Sequence, residues 1–230
     1  EEILPFTHLD KKRFGVISVG KQNAQPFVKR LQEYAPIENI SRLNTQSTDK
    51  EIKGIVDVIS HSTQTIIAIF SDKKEEIQLA EKILKKATGK VLVFFTSPYS
   101  IPKYEELTAE AEAIIVAYEN NPVMQECAAE VLFGGTSADG KLPVSTGKYP
   151  QGSGIFIPEC RLGHAFPEEV DMDSRILSHI DSIVQEGIDS MAFPGCQIII
   201  TRHKKIIYDR AFGYFDYEKK HPVSTNDLYD

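Results

Sequence analysis

Short, continuous runs of apolar residues alternate with amphipathic stretches over the first two thirds of the sequence. Four runs are rich in β-branched residues and bounded by polar turns, a pattern typical of strands that are buried on both faces. A weaker run, "NISRL" (39–43), lies where a repeating strand and helix series needs a fifth strand. The four strong runs are "FGVISVG" (14–20), "TIIAIF" (65–70), "KVLVFF" (90–95) and "AIIVAYE" (113–119).

The stretches between these runs have the period of amphipathic helices. "TDKEIKGIVDVISHS" offers Thr48 or Asp49 as an N-cap, with Glu51 in the first turn. "NPVMQECAAEVLFGG" offers Asn121 as its cap and Pro122 in the first turn, and it stops at two glycines. Because each parallel connection needs a right-handed crossover, strands interleaved with helices predict a doubly wound α/β fold. We therefore expect a mostly parallel sheet with helices on both faces, a three-layer sandwich.

The composition and the hydrophobic pattern of the sequence change after about residue 150. A stretch rich in glycine and proline, residues 151–167, has no period and is typical of a linker. We predict an α/β domain over residues 1–150 and a second, smaller unit over residues 168–230. That unit is expected to have too little core to stand alone, since a helix and two or three strands rarely bury enough surface.

Residues 171–191 and 193–230 predict the elements of the second unit. The first stretch is interpreted as a single amphipathic helix, and the second as a β-hairpin that turns at residues 202–205. The stripe expected to face the core of this unit consists of Ile176, Ile180, Ile183 and Val184.

Bulk composition excludes several classes of function. A formal net charge of -7 argues against a nucleic-acid partner, which would need clustered lysine and arginine. No apolar run approaches the roughly 18 residues of a membrane span. The three cysteines are far apart in the sequence and the histidines are scattered, so neither a disulfide framework nor a metal site is expected.

Motifs for nucleotides and phosphate do not have the right context. "GTSADGKL" (135–142) resembles a phosphate loop, but it leaves a helix instead of a strand, and Leu142 replaces the residue that would hold magnesium. Gly20 alone follows the first strand, where a dinucleotide fold needs three glycines. A phospho-receiver site could use Asp72 and Thr96, but residues 21–23 lack its acidic groups. We predict no cofactor.

The spacing Ser-x-x-Lys, which serine hydrolases use, occurs five times, beginning at Ser18, Ser47, Ser71, Ser100 and Ser145. Residues 118–120 also match a Tyr-x-Asn motif that accompanies such a serine in β-lactamase-like enzymes. None of the five serines is expected to open a buried helix of a serine-hydrolase domain. We interpret these matches as coincidence and predict no catalytic residue.

Loops at the carboxyl ends of the predicted strands are the candidate ligand-binding residues. In open α/β sheets, ligands bind in the crevice outside these strand ends. The candidates are Lys21, Asn23, Asp72, Ser97, Tyr99, Glu119 and Asn120.

Two stretches of the sequence resemble known families. "KVLVFFTSPYSI" and "AIIVAYENNPVMQECAAEVLFGGTSADGKLPVS", with the entry "ILPFTHLDKKRFGVISVG", resemble the C-terminal α/β-sandwich domain of glycoside hydrolase family 3 in its β-N-acetylhexosaminidase branch. This resemblance covers roughly residues 3–147. From residue 167 onward the chain resembles the start of a serine β-lactamase or penicillin-binding-protein-type hydrolase, and it ends before the helix that would carry the nucleophile.

The two resemblances imply a fragment of a longer hydrolase. They imply a non-catalytic accessory domain that supports an absent catalytic barrel, followed by an incomplete serine-hydrolase domain, with a periplasmic or secreted location. The barrel and the remaining hydrolase portion would be its partners, and the hairpin from Cys196 to Ala211 could pair with a second copy. A free-standing flavodoxin-like module that binds a ligand or partner, and a competent serine hydrolase, are the alternatives.

Overall fold

A computed structural model of the chain describes residues 3–228, which divide into two compact units between Cys160 and Arg161. The boundary between them falls inside the stretch that was predicted to be a linker. The assignment of each unit to a hydrolase domain stays a prediction. None of the described helices is long and apolar enough to cross a membrane.

The first unit contains a sheet of five parallel strands in the order β2-β1-β3-β4-β5. The strands β1, β3 and β4 are buried along their whole length, as their continuous apolar runs predict. The predicted fifth strand, "NISRL", is confirmed as β2 at one edge. The strands are β1 (Phe14–Val19), β2 (Asn39–Leu43), β3 (Gln64–Ile69), β4 (Lys90–Phe94) and β5 (Ala113–Val116).

Five helices cover the two faces of this sheet, so the predicted three-layer α/β fold is confirmed. One face packs against α1 and α5 in a core that includes Phe27, Leu132 and Phe133. The other face packs against α2, α3 and α4 in a core that includes Ile55 and Leu84. The helices are α1 (Gln25–Gln32), α2 (Asp49–His61), α3 (Lys74–Leu84), α4 (Glu105–Ala109) and α5 (Pro122–Phe133).

Two helices of this unit begin at the predicted caps. The amide of Glu51 donates to the Thr48 hydroxyl at 3.3 Å, and the Thr48 amide donates to the Glu51 carboxylate at 2.7 Å. The Thr48 hydroxyl also donates to this carboxylate, at 2.9 Å, and the hydrogen bonds from the Thr48 amide and hydroxyl hold the pKa of Glu51 below its usual range. The contribution of this carboxylate to stability is therefore present above its unfolded pKa and is lost as the pH falls through its lowered pKa. Asn121 caps α5 by accepting from the amide of Met124 at 2.9 Å.

The segment after α5 returns along itself without forming a regular strand. Gly134 adopts the left-handed conformation that ends the helix, with φ 75°. The amide of Ala138 donates to the carbonyl of Ile157 at 2.9 Å, and the amide of Cys160 donates to Gly134 at 2.8 Å. Isolated contacts of this kind leave no repeating hydrophobic pattern, so the sequence of this segment shows neither a strand period nor a helix period.

The second unit contains a small mixed sheet in the order β6-β8-β7, with two helices. The strand β8 pairs antiparallel with β7 and parallel with the two residues of β6. Its core has four buried residues, Val170, Leu177, Ile207 and Tyr208. The elements are β6 (Gly163–His164), α6 (Ser174–Leu177), α7 (His179–Asp189), β7 (Gly195–Arg202) and β8 (Lys205–Gly213).

The helix prediction for this unit was wrong in two respects. The expected single helix is divided at Ser178 into α6 and α7. Of the four residues predicted to face the core, Val184 is buried and Ile180 packs against the core, whereas Ile176 and Ile183 are 67% and 68% exposed. The residues on the core side, Leu177, Ile180 and Val184, have the i, i+3, i+7 spacing of one helix face, so the predicted stripe was turned away from the core by about one residue.

The predicted hairpin and its turn are confirmed. Arg202 pairs with Lys205, so the loop has two residues, His203 and Lys204, with φ values of 49° and 62°. Two consecutive positive φ values are typical of the type I′ turn, whose twist matches that of the flanking strands.

Replacing the α2 cap tests how the start of this helix is stabilised. We expect Thr48→Ala to lower the free energy of unfolding by about 1 kcal/mol, since it leaves an amide of the first turn without its acceptor. Ser60→Ala, at the other end of α2, is the matched control and should change it by less than about 0.5 kcal/mol. Urea denaturation followed by circular dichroism measures both values, and equal midpoints for Thr48→Ala and the native chain would contradict the capping role.

Candidate functional site

The parallel strands of the first unit bring four predicted loops to one edge of the sheet. The loops that follow β1, β3, β4 and β5 all leave at the carboxyl ends of adjacent strands. We call these four loops the rim. The strand order reverses its direction between β1 and β3, which is where ligands bind in many open α/β sheets.

The β1 loop leaves the sheet at this reversal point. Gly20 has φ 117°, and a Cβ at this position would lie 2.5 Å from the side-chain oxygen of Gln22. The side chain of Gln22 therefore folds back over the end of β1. The candidates Lys21 and Asn23 flank Gln22 in this loop, and both are exposed. The Asn23 side chain accepts from the amide of Gln25 at 3.0 Å.

The β3 loop holds its candidate carboxylate in an ion pair. Lys103 Nζ lies 2.7 Å from the Asp72 carboxylate, and this hydrogen bond lowers the pKa of Asp72. A carboxyl group with a lowered pKa is ionised near neutral pH and is a poor general acid. The pair links the β3 loop to the 3-10 helix Pro98–Lys103 of the β4 loop.

The β4 loop presents Ser97 and Tyr99. The Ser97 hydroxyl accepts from the amide of Tyr99 at 3.4 Å and so starts the 3-10 helix. In this role Ser97 stabilises the backbone, which does not need a nucleophilic hydroxyl group. The ring of Tyr99 is 58% exposed, and the neighbouring Thr96 has a buried hydroxyl without a hydrogen-bond partner among residues 3–228.

Gln125, a residue of α5 that the sequence analysis missed, connects two rim loops. Its side chain is 3% exposed and donates to the backbone carbonyl of Asn23 at 2.9 Å and to the side chain of Asn120 at 2.7 Å. Its oxygen accepts from the amide of Phe27 at 3.2 Å. A buried glutamine inside an apolar helix is the signal that could have identified it, since such a group must find partners.

The β5 loop and the first turn of α5 line an open cavity of about 550 Å³. Tyr118, Val123 and Met124 contribute apolar surface, and the candidate Glu119 contributes a carboxylate. Asn121 donates to that carboxylate at 3.2 Å. Tyr118 is a second residue that the sequence analysis did not include among the binding candidates.

The second unit has a larger open depression, of about 670 Å³, between α7 and β8. Asp181 on its wall accepts from the Tyr208 hydroxyl at 2.6 Å and from Arg210 at 2.5 Å. Burial, with the hydrogen bond to Asp181, raises the pKa of Tyr208 to about 12. These three groups bind one another and tie the helix to the sheet.

The sequence-predicted candidates do not converge on one reactive centre. Lys21, Asp72, Tyr99 and Glu119 lie on four successive loops, and the two carboxylates have separate partners. Within residues 3–228, no group of three or more histidine, cysteine, aspartate or glutamate side chains could hold a metal ion. The arrangement is suited to binding through scattered polar and aromatic groups.

Removing the buried amide of Gln125 tests whether it positions the rim. We expect Gln125→Leu to lower the free energy of unfolding by about 2 kcal/mol, since it leaves the Phe27 amide and the Asn23 carbonyl unsatisfied. Hydrogen exchange should become faster in both loops joined to Gln125. Gln32→Leu, on the exposed side of α1, is a control for loss of an amide side chain, and exchange at the rim unchanged by Gln125→Leu would contradict the role.

Comparisons with known proteins give a single weak structural similarity. No protein-family model matches the sequence, and no curated protein matches it. The chain is similar in fold to a glycoside hydrolase family 3 β-N-acetylglucosaminidase from Paenibacillus sp. str. FPU-7, with 16% identity and a TM-score of 0.43. The match covers 53% of this chain and 25% of that enzyme's chain, so it spans about a quarter of the enzyme. The comparisons give no support to the predicted serine-hydrolase start, which stays a prediction.

Proposed function

We propose that the first unit is a non-catalytic accessory domain of a family 3 glycoside hydrolase of the β-N-acetylhexosaminidase type. Its function is to pack against a catalytic barrel and to shape the edge of the sugar cleft with the rim. The observation that carries the proposal is the sequence resemblance of residues 3–147, and the rim at one sheet edge supplies the loops that would face the cleft.

The chemistry of the rim residues favours a non-catalytic function of the rim over a catalytic one. Asp72 is held ionised by Lys103, and Ser97 starts a 3-10 helix. Glycoside cleavage commonly uses two carboxyl groups on opposite sides of the bond, one of them with a raised pKa. Asp72 does not meet that description because its pKa is lowered, and Glu119 is held by a separate partner, Asn121, so the reacting groups would come from the barrel.

The second unit, in the same proposal, is the first part of a serine-hydrolase domain. Its core has four buried residues, and several large apolar side chains on α6, α7 and β7 are exposed. A sheet and helix pair of this size gains stability when further strands or helices cover it. The remaining hydrolase portion of a longer chain would supply them.

A direct assay tests the non-catalytic role. We expect the 230-residue chain to give no turnover of 4-nitrophenyl N-acetyl-β-glucosaminide, because the two rim carboxylates, Asp72 and Glu119, are held by separate partners and Asp72 has a lowered pKa. Turnover by this chain would contradict the proposal, and Asp72→Asn and Glu119→Gln would then show whether the rim carboxylates carry it.

The strand order also favours a second candidate, a flavodoxin-like binding module. The order β2-β1-β3-β4-β5 is that of flavodoxin-like sheets, which bind their cofactor between β1 and β3. The sequence resemblance of residues 3–147 favours the accessory role instead. Bound flavin in the purified protein, visible by absorption, would support this candidate against the first.

We also propose that β7 pairs with a second copy of the chain. The amide of Tyr214 donates to the carbonyl of Pro194 at 3.0 Å. Because hydrogen-bonded pairs alternate along an antiparallel ladder, the backbone N–H and C=O groups of Gln197 and Ile199 then point away from β8. In an antiparallel pair with a two-fold axis at Ile198, Gln197 of one copy would lie opposite Ile199 of the other. No like charges would then face each other across the pair.

A charge on the outer edge of β7 tests this pairing. Ile199 is 53% exposed, so Ile199→Lys should fold normally and should convert the dimer to a monomer, because edge lysines oppose strand addition. Val123→Lys, another exposed apolar position, is the matched control and should stay dimeric. Light scattering measures the mass, and a native chain that is monomeric at about 100 μM, a concentration at which even a modest interface is populated, would contradict the proposal.

A further inference from the structure

The backbone at Tyr118 has a conformation that aromatic residues rarely adopt. Its φ is 62°, and the amide of Glu119 donates to the carbonyl of Ala117 at 2.6 Å, across Tyr118. This is a three-residue turn with a positive central φ, which is rare and strained for any residue other than glycine. An observed strain of this kind at an exposed loop points to a role for the side chain that it presents.

The surroundings of Tyr118 hold the strained turn in place. On its carboxyl side, the Asn120 side chain accepts from buried Gln125, and Asn121 caps α5. On its amino side, the amide of Ala117 donates to the carbonyl of Phe94 at 2.8 Å and continues the ladder of the sheet. The Tyr118 ring, 40% exposed, is therefore presented from a fixed backbone and not from a loose loop.

The cavity beside this ring combines an aromatic face with one strong acceptor. Tyr118 lines it together with Val123 and Met124, and both of these side chains are apolar. The Glu119 carboxylate accepts one hydrogen bond, from Asn121, and has no other hydrogen-bond partner among the described residues. An aromatic face next to a carboxylate suits a ligand with an apolar ring face and hydroxyl groups around its edge.

Charge argues against an anion at this cavity, although it lies at the start of α5. The Glu119 carboxylate at the mouth repels phosphate and carboxylate ligands. The Asn121 side chain already accepts from the Met124 amide, so that donor of the first turn is not available. A ligand without negative charge therefore fits this cavity.

We propose that the cavity formed by the β5 loop and the first turn of α5 binds one neutral sugar ring, with the ring on the face of Tyr118 and a hydroxyl donating to Glu119. This site deepens the accessory role proposed above, and the choice of a sugar among neutral hydroxylated ligands rests on that role. It places the contact on the part of the rim that follows the edge strand β5.

Saturation-transfer NMR with N,N′-diacetylchitobiose as the probe tests the site in the 230-residue chain. We expect saturation to be transferred from the native chain and from Tyr118→Phe to the sugar ring protons, and we expect both chains to bind the sugar with similar affinity. Tyr118→Gly and Glu119→Ala should each weaken binding about tenfold, since each removes one of the two contacts. Phe156→Ala, which removes an exposed aromatic ring elsewhere in the first unit, is the control and should not change the affinity.

Thermal unfolding of Tyr118→Gly separates a binding role from a structural one. Because glycine accepts a positive φ without strain, we expect this variant to melt about 2–4 °C higher than the native chain while it loses the sugar. A lower melting temperature would show that the ring is needed for folding and would contradict the proposal. Equal sugar affinity for Tyr118→Gly and the native chain, or no saturation by the native chain, would also contradict it.

The failure of this site and the failure of the accessory role are distinguishable. Absence of sugar binding together with absence of aryl-glucosaminide turnover contradicts the Tyr118 site alone. Turnover by the 230-residue chain contradicts the accessory role, whatever the binding result.

Discussion

The parallel sheet of the first unit is the constraint on which the rest of that unit depends. Its central strands β1, β3 and β4 are buried along their full length, so helices must cover both faces. Covering both faces forces each connection to cross over the sheet, and every strand then ends at the same edge. The rim follows from this geometry, whatever residues the loops contain.

Polar groups at the ends of the elements then decide the shape of the rim. Gln125 is buried between α1 and the β5 loop, and its amide satisfies backbone and side-chain groups from two loops that are about 100 residues apart in sequence. The Asp72 and Lys103 pair joins the β3 and β4 loops in a similar way. A rim fixed by such contacts can hold a strained residue such as Tyr118 in a defined position.

The second unit shows the opposite balance between core and surface. Its sheet has one long antiparallel pair, and a hydrogen-bonded group of Asp181, Tyr208 and Arg210 ties α7 to β8. The exposed apolar residues Ile176 and Ile183, and the free edge of β7, are surfaces that gain stability from a further element. Both the proposed hydrolase remainder and the proposed second copy would cover part of this surface.

The amino-acid sequence by itself determined the α/β class, the five strands, the caps at Thr48 and Asn121 and the hairpin turn, because each depends on local periodicity or on a residue that acts within one turn. The break at Ser178, the hydrogen bonds of Gln125 and the backbone of Tyr118 were decided by tertiary structure. Each of these depends on partners that are distant in sequence, or on a local conformation that the packing of other elements imposes, and neither leaves a repeating signal in the chain.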